Sequence, residues 1–150
     1  MGALSMLLSE PLLIPAVGGS VYMVLSAPEA ETSAPKNVLV GHAVAASVGW
    51  LVLAICGLRG VPGGQTAALT WTRIAAIAVS LALTNGFLRW ARCSHGPAGA
   101  STMIVSIGAL PEARHILDFE LAALVTVSYA LVAHRLSGVE YPLRRVRESS

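Results

Sequence analysis

The chain has 150 residues, 55% of them hydrophobic and 12% charged, with a formal net charge of +2 and a mean hydropathy of +0.69. So apolar a composition excludes an ordinary water-soluble domain of this size and places the chain in a lipid bilayer. The mild charge argues against a nucleic-acid partner, and Arg144-Arg145-Val146-Arg147 suits helix orientation or anionic lipid better. The two cysteines, Cys56 and Cys93, have neither CxxC spacing nor histidines in metal-ligand register, so neither a disulfide framework nor a metal site is expected.

Met1 to Leu8 lacks a basic n-region, and Glu10 and Pro11 interrupt the apolar stretch before a plausible cleavage site, so the start reads as retained. Leu12 to Ala27 is apolar but interrupted by Pro15, Gly18, Gly19 and Ser20, which predicts a short or broken membrane helix. Val38 to Leu58 is apolar apart from His42, and Trp71 to Trp90 carries charge only near its ends at Arg73 and Arg89. Each supplies the roughly 20 helical residues needed to cross a hydrocarbon core of about 30 Å. Arg92 to Thr102 then sets a charge, an imidazole and a helix-starting proline between apolar runs. Its small residues permit close backbone approach, and the amides after Pro97 would form a positive helix end suited to an anion. Leu117 to Leu136 is the third full span, with Asp118 and Glu120 at one end and His134 and Arg135 at the other. The pattern predicts an all-α membrane protein of about four transmembrane helices, in a single domain over residues 1–150.

Arg135, Arg144, Arg145 and Arg147 make residues 137–150 a basic tail, cytoplasmic by the positive-inside rule in what reads as a prokaryotic cell membrane. With four crossing segments the N-terminus is also inside, the Pro28 to Lys36 loop outside and the Arg59 to Arg73 loop inside. Arg89 and Arg92 then fall on the outer side against the usual bias, unless Pro97 to Leu110 makes a fifth crossing.

Ile14 to Met23 resembles Gly96 to Met103, Ser20 aligning with Ser101 once one residue is skipped, and Pro28-Glu29-Ala30 matches Pro111-Glu112-Ala113. A short small-residue helix, a turn and a full span therefore recur in units 14–58 and 96–136. Membrane transport folds often use two such repeats, whose interrupted helices meet near the midplane and line the solute path. Arg89 and Arg92 share a helix face, His95 follows them, and together they make a positive focus. Ser20 is their counterpart in the first unit, with Lys36 and His42 beside the next span. Plainer readings exist for each: arginines at a span end snorkel, His42 suits a structural hydrogen bond, and Ser20, Ser101 and Thr102 can bond back to the preceding turn. Asn85 suits either helix packing or a path lining, and Trp50, Trp71 and Trp90 read as anchors.

These elements resemble the HPP family of small integral membrane proteins. Pro15 to Ser20 is similar to its Pro-x-Gly-x-Ser pattern, Pro35-Lys36-Asn37-Val38 to its Pro-Arg-Asn-Val, Gly41-His42 to its Gly-His, and His95-Gly96-Pro97-Ala98-Gly99-Ala100 to His-Pro-Pro-Ala-Gly-Ala. Gly96 stands where the signature has its first proline, and Lys36 replaces the usual arginine, keeping the charge but losing the bidentate fork. The resemblance implies a transporter-like protein, since members of the family are linked to nitrite movement across plastid and cyanobacterial membranes. It adds Asn37 to the substrate-binding candidates, which are then Gly19, Ser20, Lys36, Asn37, His42, Arg92, His95, Pro97, Gly99 and Ser101.

Three functions remain in view: a small-anion transporter or channel, an accessory membrane subunit, and a proton-coupled carrier in which His42 and His95 titrate. No sequence-level set of nucleophile, base and orienting acid appears and no phosphate-cradling loop, so neither an enzyme nor a cofactor is expected. Four short helices wall a polar path poorly. A homo-oligomer is therefore expected, with Gly41, Ala45 and Gly49 on one helical face allowing subunits to approach.

Overall fold

The structure, a computed structural model, describes residues 15–64 and 69–142. Five α-helices form there: α1 (Pro15–Ser26), α2 (Pro35–Ile55), α3 (Trp71–Trp90), α4 (Pro97–Ser106) and α5 (Arg114–Ser137), with a 3-10 turn at Glu31–Ser33 and no strand among the described residues. Helices α2, α3 and α5 are long and apolar enough to cross a membrane. Helices α1 and α4 have 12 and 10 residues, about 18 and 15 Å at 1.5 Å per residue, short of a hydrocarbon core. Among the described residues there are thus three full-length apolar helices and two short ones, an all-α arrangement as expected. Residues 1–14 and 143–150, which hold the start of the chain and most of the basic tail, lie outside the described residues.

Proline starts two of these helices: Pro35 and Pro97 stand in the first turn of α2 and α4, where the missing N–H is no loss. The span expected from Val38 begins at Pro35 and the one expected from Leu117 begins at Arg114, because the first helical turns carry polar residues that hydropathy leaves out. Four helices end alike. Leu58 N–H reaches Leu53 O (2.8 Å), Cys93 N–H reaches Leu88 O (2.9 Å), Ala109 N–H reaches Ile104 O (3.3 Å) and Val139 N–H reaches His134 O (3.0 Å). Each closes a Schellman motif, whose pivot residue must turn left-handed. The pivots are Gly57, Gly108 and Gly138, but for α3 the pivot is Arg92, at φ 49°.

Helix α2 sits at the centre, packed on α3, α4 and α5. Its residues Gly41 and Gly49 face His95 and the Thr102–Val105 stretch respectively, so α4 runs alongside α2 in the same direction. Arg73 at the start of α3 lies against Gly63 and Gly108, while Leu88 near its end packs with Ala45, Cys93 and Ala98, so α3 runs the opposite way. Helix α4 therefore carries the chain back across the bundle to where α5 begins. The Gly41, Ala45, Gly49 face is buried inside the chain by this packing rather than left for a second subunit.

The traverse by α4 corrects the expected sidedness. His134 Nε2 donates to Val24 O (2.7 Å) and Tyr141 Oη donates to Ser33 O (2.7 Å), which places the end of α5 on the same face as the Pro28–Lys36 loop, not the opposite one. Arg89 and Arg92 share that face, and Gly63, Gly108 and Arg73 meet on the other. Apolar side chains such as Leu51, Ile74, Val79, Leu83, Leu124 and Val132 are exposed along the shafts, and Trp71 and Trp90 stand exposed at the two ends of α3. Lipid tails rather than water suit such a surface, with the indoles at its two interfaces.

Candidate functional site

Four polar side chains from different elements meet inside the bundle: Ser20 of α1, His42 of α2, His95 of the α3–α4 corner and Ser101 of α4. They are at most 5% exposed, so each donor and acceptor needs a partner within the protein. The partners are present. His95 Nδ1 lies 2.9 Å from Thr32 O, His95 Nε2 lies 2.9 Å from Ser20 Oγ, Ser20 Oγ lies 2.8 Å from His42 Nε2, and His42 Nδ1 lies 2.7 Å from Ser101 Oγ.

A carbonyl has no proton to give, so His95 donates from Nδ1 to Thr32, and in the neutral ring its Nε2 must accept. Ser20 then donates to His95 and accepts from His42 Nε2–H, which leaves His42 Nδ1 to accept from Ser101. One choice at Thr32 thus orients the whole chain. The two rings meet edge to face with centroids 5.0 Å apart, their Nε2 atoms separated by 3.4 Å, and Phe119 stacks on His42 at 6.1 Å.

Local sequence explains the convergence. A Cβ on Gly41 would lie 2.8 Å from His95 Cδ2, closer than real side chains approach, so the Gly41-His42 pair works as a unit: one admits the ring of His95 and the other bonds to it. Gly19 approaches Pro97 in the same manner but with room to spare, a Cβ there meeting Pro97 Cγ at 3.4 Å. His42 comes seven residues after Pro35, about 10 Å inside the start of α2.

On one side the network opens to a pocket of about 350 Å³ lined by Glu31, Asn85, Arg89, Arg92, Cys93 and His95 among others. Two guanidinium groups against one carboxylate give it a positive balance. Its rim is the α3–α4 corner, where Arg92 holds the left-handed conformation that the other three Schellman ends assign to glycine. Such a conformation costs a non-glycine residue on the order of 1–2 kcal/mol, and strain of this kind at a pocket rim makes Arg92 a candidate functional residue.

On the other side a buried polar seam continues between α3 and α4. The buried stripe of α3 is Arg73, Ala76, Ser80, Thr84 and Leu88, and it meets α4 where Thr84 bonds to Thr102 and Leu88 packs with Ala98. Thr102 donates to Ala98 O (3.1 Å) and accepts from Thr84 (2.9 Å), Ser106 donates to Thr102 O (2.7 Å), and Ser80 Oγ is buried with no partner among the described residues. At the far end Arg73 is 3% exposed, its Nη2 donating to Val61 O (3.1 Å) and Pro62 O (3.4 Å).

Of the candidates from the sequence, Ser20, His42, His95 and Ser101 are brought together, Arg92 lines the adjoining pocket, and Gly19 and Pro97 form the close contact beside it. Lys36 is exposed and does not line the pocket. Asn37 is buried, its Nδ2 donating to Glu31 O (2.8 Å) and its carbonyl accepting from Cys93 Sγ (3.5 Å), so it shapes the corner rather than facing a solute. Gly99 lies away from the rings with nothing within 4 Å of where a Cβ would stand. The expected positive helix end after Pro97 is not free either. Gly96 already has helical dihedrals, and Ala98 N–H and Gly99 N–H bond to His95 O (3.2 Å) and Gly96 O (3.1 Å). Side chains, not helix amides, supply the positive charge here.

Sequence reasoning missed Thr32, Thr84, Ser80 and the burial of Arg73. Thr32 enters through a carbonyl, which residue type cannot signal. The others carried a signal, since Arg73, Ser80 and Thr84 recur on one helical face of an otherwise apolar span. Among the described residues no three His, Cys, Asp or Glu side chains gather as a metal site would need. The family model described as HPP, transmembrane region, matches residues 1–142. No curated protein and no solved structure matches the chain.

Proposed function

Because the chain belongs to the HPP transmembrane-region family, we propose that it is a transporter of a small inorganic anion, with nitrite the first substrate to test. The observation that carries this reading is the 350 Å³ pocket whose wall bears Arg89 and Arg92 and whose floor is His95. An anion of a few atoms entering there meets two fixed positive charges, then an imidazole tied to hydroxyls that can exchange bonds with it. Beyond them the Thr102, Thr84, Ser80 seam offers polar partners toward the opposite face.

Several finer parts belong to this reading. The chemistry is passage rather than catalysis, with no enzymatic step. The tail is cytoplasmic, which puts the pocket and its arginines on the cytoplasmic side in accord with the positive-inside rule. Units 14–58 and 96–136 of the one membrane domain are inverted repeats, supported by the aligned Ser20 and Ser101, which bond the two nitrogens of His42. Copies of the chain associate, consistent with the sparse burial of α3, 28% of its apolar window.

Uptake of nitrite, nitrate and chloride into proteoliposomes tests the proposal. Saturable uptake of one of them, lost in His95→Ala and weakened in Arg92→Ala, is the expected result. Folded wild-type protein that moves none of the three rejects it.

A further inference from the structure

The Ser101, His42, Ser20, His95 chain has a second complete hydrogen-bond arrangement, which differs from the first by one proton. Suppose a proton arrives at Ser101 Oγ. Ser101 passes its own proton to His42 Nδ1, His42 passes its Nε2 proton to Ser20, and Ser20 passes its hydroxyl proton to His95 Nε2. Each O–H or N–H bond broken is matched by one formed, and the positive charge emerges on His95 at the pocket floor. Every bond then points the other way. His95 donates from both nitrogens, to Thr32 O and Ser20; Ser20 donates to His42 Nε2; His42 Nδ1 donates to Ser101; and Ser101 turns to Pro97 O, 3.5 Å away.

A second proton has no place. It would set two N–H groups against each other across the 3.4 Å between the Nε2 atoms, leave Ser20 between two donors, and put two cations on rings 5.0 Å apart. The surrounding charges bear on where the proton rests. Helix α1 brings only Ser20 to the rings, the 3-10 turn brings Glu31 to the pocket, α2 carries Lys36 exposed above it, and α3 and its corner bring Arg89, Arg92 and Cys93. Helix α4 brings no titratable group, and α5 brings Phe119, with Asp118 and Glu120 as its chain neighbours. A cation on His95 thus faces two guanidinium groups, a repulsion that an anion in the pocket relieves.

We propose that this network is a proton-binding site that takes up one proton per chain, carries it from Ser101 to His95 by reversing its bonds, and couples it to one anion in the pocket. The inference rests on the transport reading for the anion but not for the proton. Nitrogen-15 spectra of histidine-labelled protein in lipid nanodiscs, recorded between about pH 4 and pH 9 with and without nitrite, read it directly. At high pH His42 carries its proton on Nε2 and His95 on Nδ1. As pH falls, His95 becomes doubly protonated and in the same step the proton of His42 appears on Nδ1, with one proton bound per network. Nitrite raises the midpoint of that step, and in His95→Gln the tautomer of His42 no longer changes.

Three results overturn the proposal: both rings becoming cations, His42 keeping its Nε2 proton while His95 charges, or neither ring titrating in that range. Uptake of nitrite by liposomes in the absence of the tautomer step removes the proton site and leaves the transport reading standing. The step without uptake does the reverse.

Discussion

The two ends of α3 each hold an arginine on the boundary of the polar interior, and the two are used in opposite ways. Arg73 is almost wholly buried, its Nη2 pinned to the Val61 and Pro62 carbonyls while Gly63 and Gly108 close around it, a Cβ on Gly108 falling 2.5 Å from its Nη1. Arg92 is exposed at a pocket rim in a backbone conformation that costs it energy. Residue type is the same, so the difference lies in what surrounds it: glycines and carbonyls make a structural staple, whereas a cavity and an imidazole make a candidate binding site.

Disrupting the pocket floor is the strongest way to break that comparison. Gly41→Ala puts a methyl 2.8–3.0 Å from three atoms of His95, so the ring must leave Ser20 and Thr32. Anion uptake should fall by about tenfold or more, the equivalent of one buried hydrogen bond to a polarised group, and melting temperature should drop as overpacking strains the bundle. Uptake unchanged in Gly41→Ala would mean that His95 is no part of the path. At the opposite end, Arg73→Ala leaves two loop carbonyls without donors and empties a buried volume. A stability loss of about 2 kcal/mol or more is expected by chemical denaturation in detergent, with uptake per folded molecule unaltered. Should Arg73→Ala instead abolish uptake while the protein stays folded, the two arginines would be alike after all.

The contrast itself is not legible in the sequence, although much of the fold around it is. Long apolar runs exposed α2, α3 and α5, because crossing a bilayer demands about 20 apolar residues in a row. The small-residue and histidine motifs pointed to Ser20, His42, His95 and Ser101, yet their meeting depends on contacts across up to 75 positions, which no local pattern reveals. Helix α4 is a traverse that the sequence leaves open as a fifth crossing by Pro97 to Leu110, since a 10-residue helix is too short to register as a span by itself, and with only four crossings counted the Pro28–Lys36 loop falls on the wrong side. Arg92 in the glycine role at the end of α3 was invisible for a simpler reason: a left-handed pivot is signalled by glycine, and here the signal is absent.

That absence yields a sharper test of the rim. Arg92→Gly should relieve the strained pivot and raise stability by roughly 1 kcal/mol, while removing one of two cations from the pocket and raising the half-saturating anion concentration several-fold. Gain in one quantity with loss in the other is what a residue kept for function predicts. A loss of both would make Arg92 a structural residue like Arg73, held by contacts that outweigh its strain.

The smallest expected effect tests the shared face on which the Arg92 corner, the 3-10 turn and the end of α5 lie. Tyr141 Oη donates to Ser33 O at 2.7 Å, and partial burial raises its phenol from the ordinary 10.0 to about 12. A phenol whose folded value is raised contributes stability while protonated, so this contribution is intact below about pH 10 and is lost as pH rises toward 12. Tyr141→Phe should cost about 1 kcal/mol at neutral pH and flatten the alkaline limb of the stability profile over that interval. The anion pocket lies on the same face but makes no contact with the phenol, so uptake should be unchanged. Fluorescence-detected unfolding at several alkaline pH values reads the first effect and the liposome assay the second. If the limb keeps its slope in Tyr141→Phe, the hydrogen bond that ties the end of α5 to the Ser33 turn is not formed in the membrane, and the sidedness that brings Arg92 and the end of α5 together loses one tie, leaving His134 to Val24 as another.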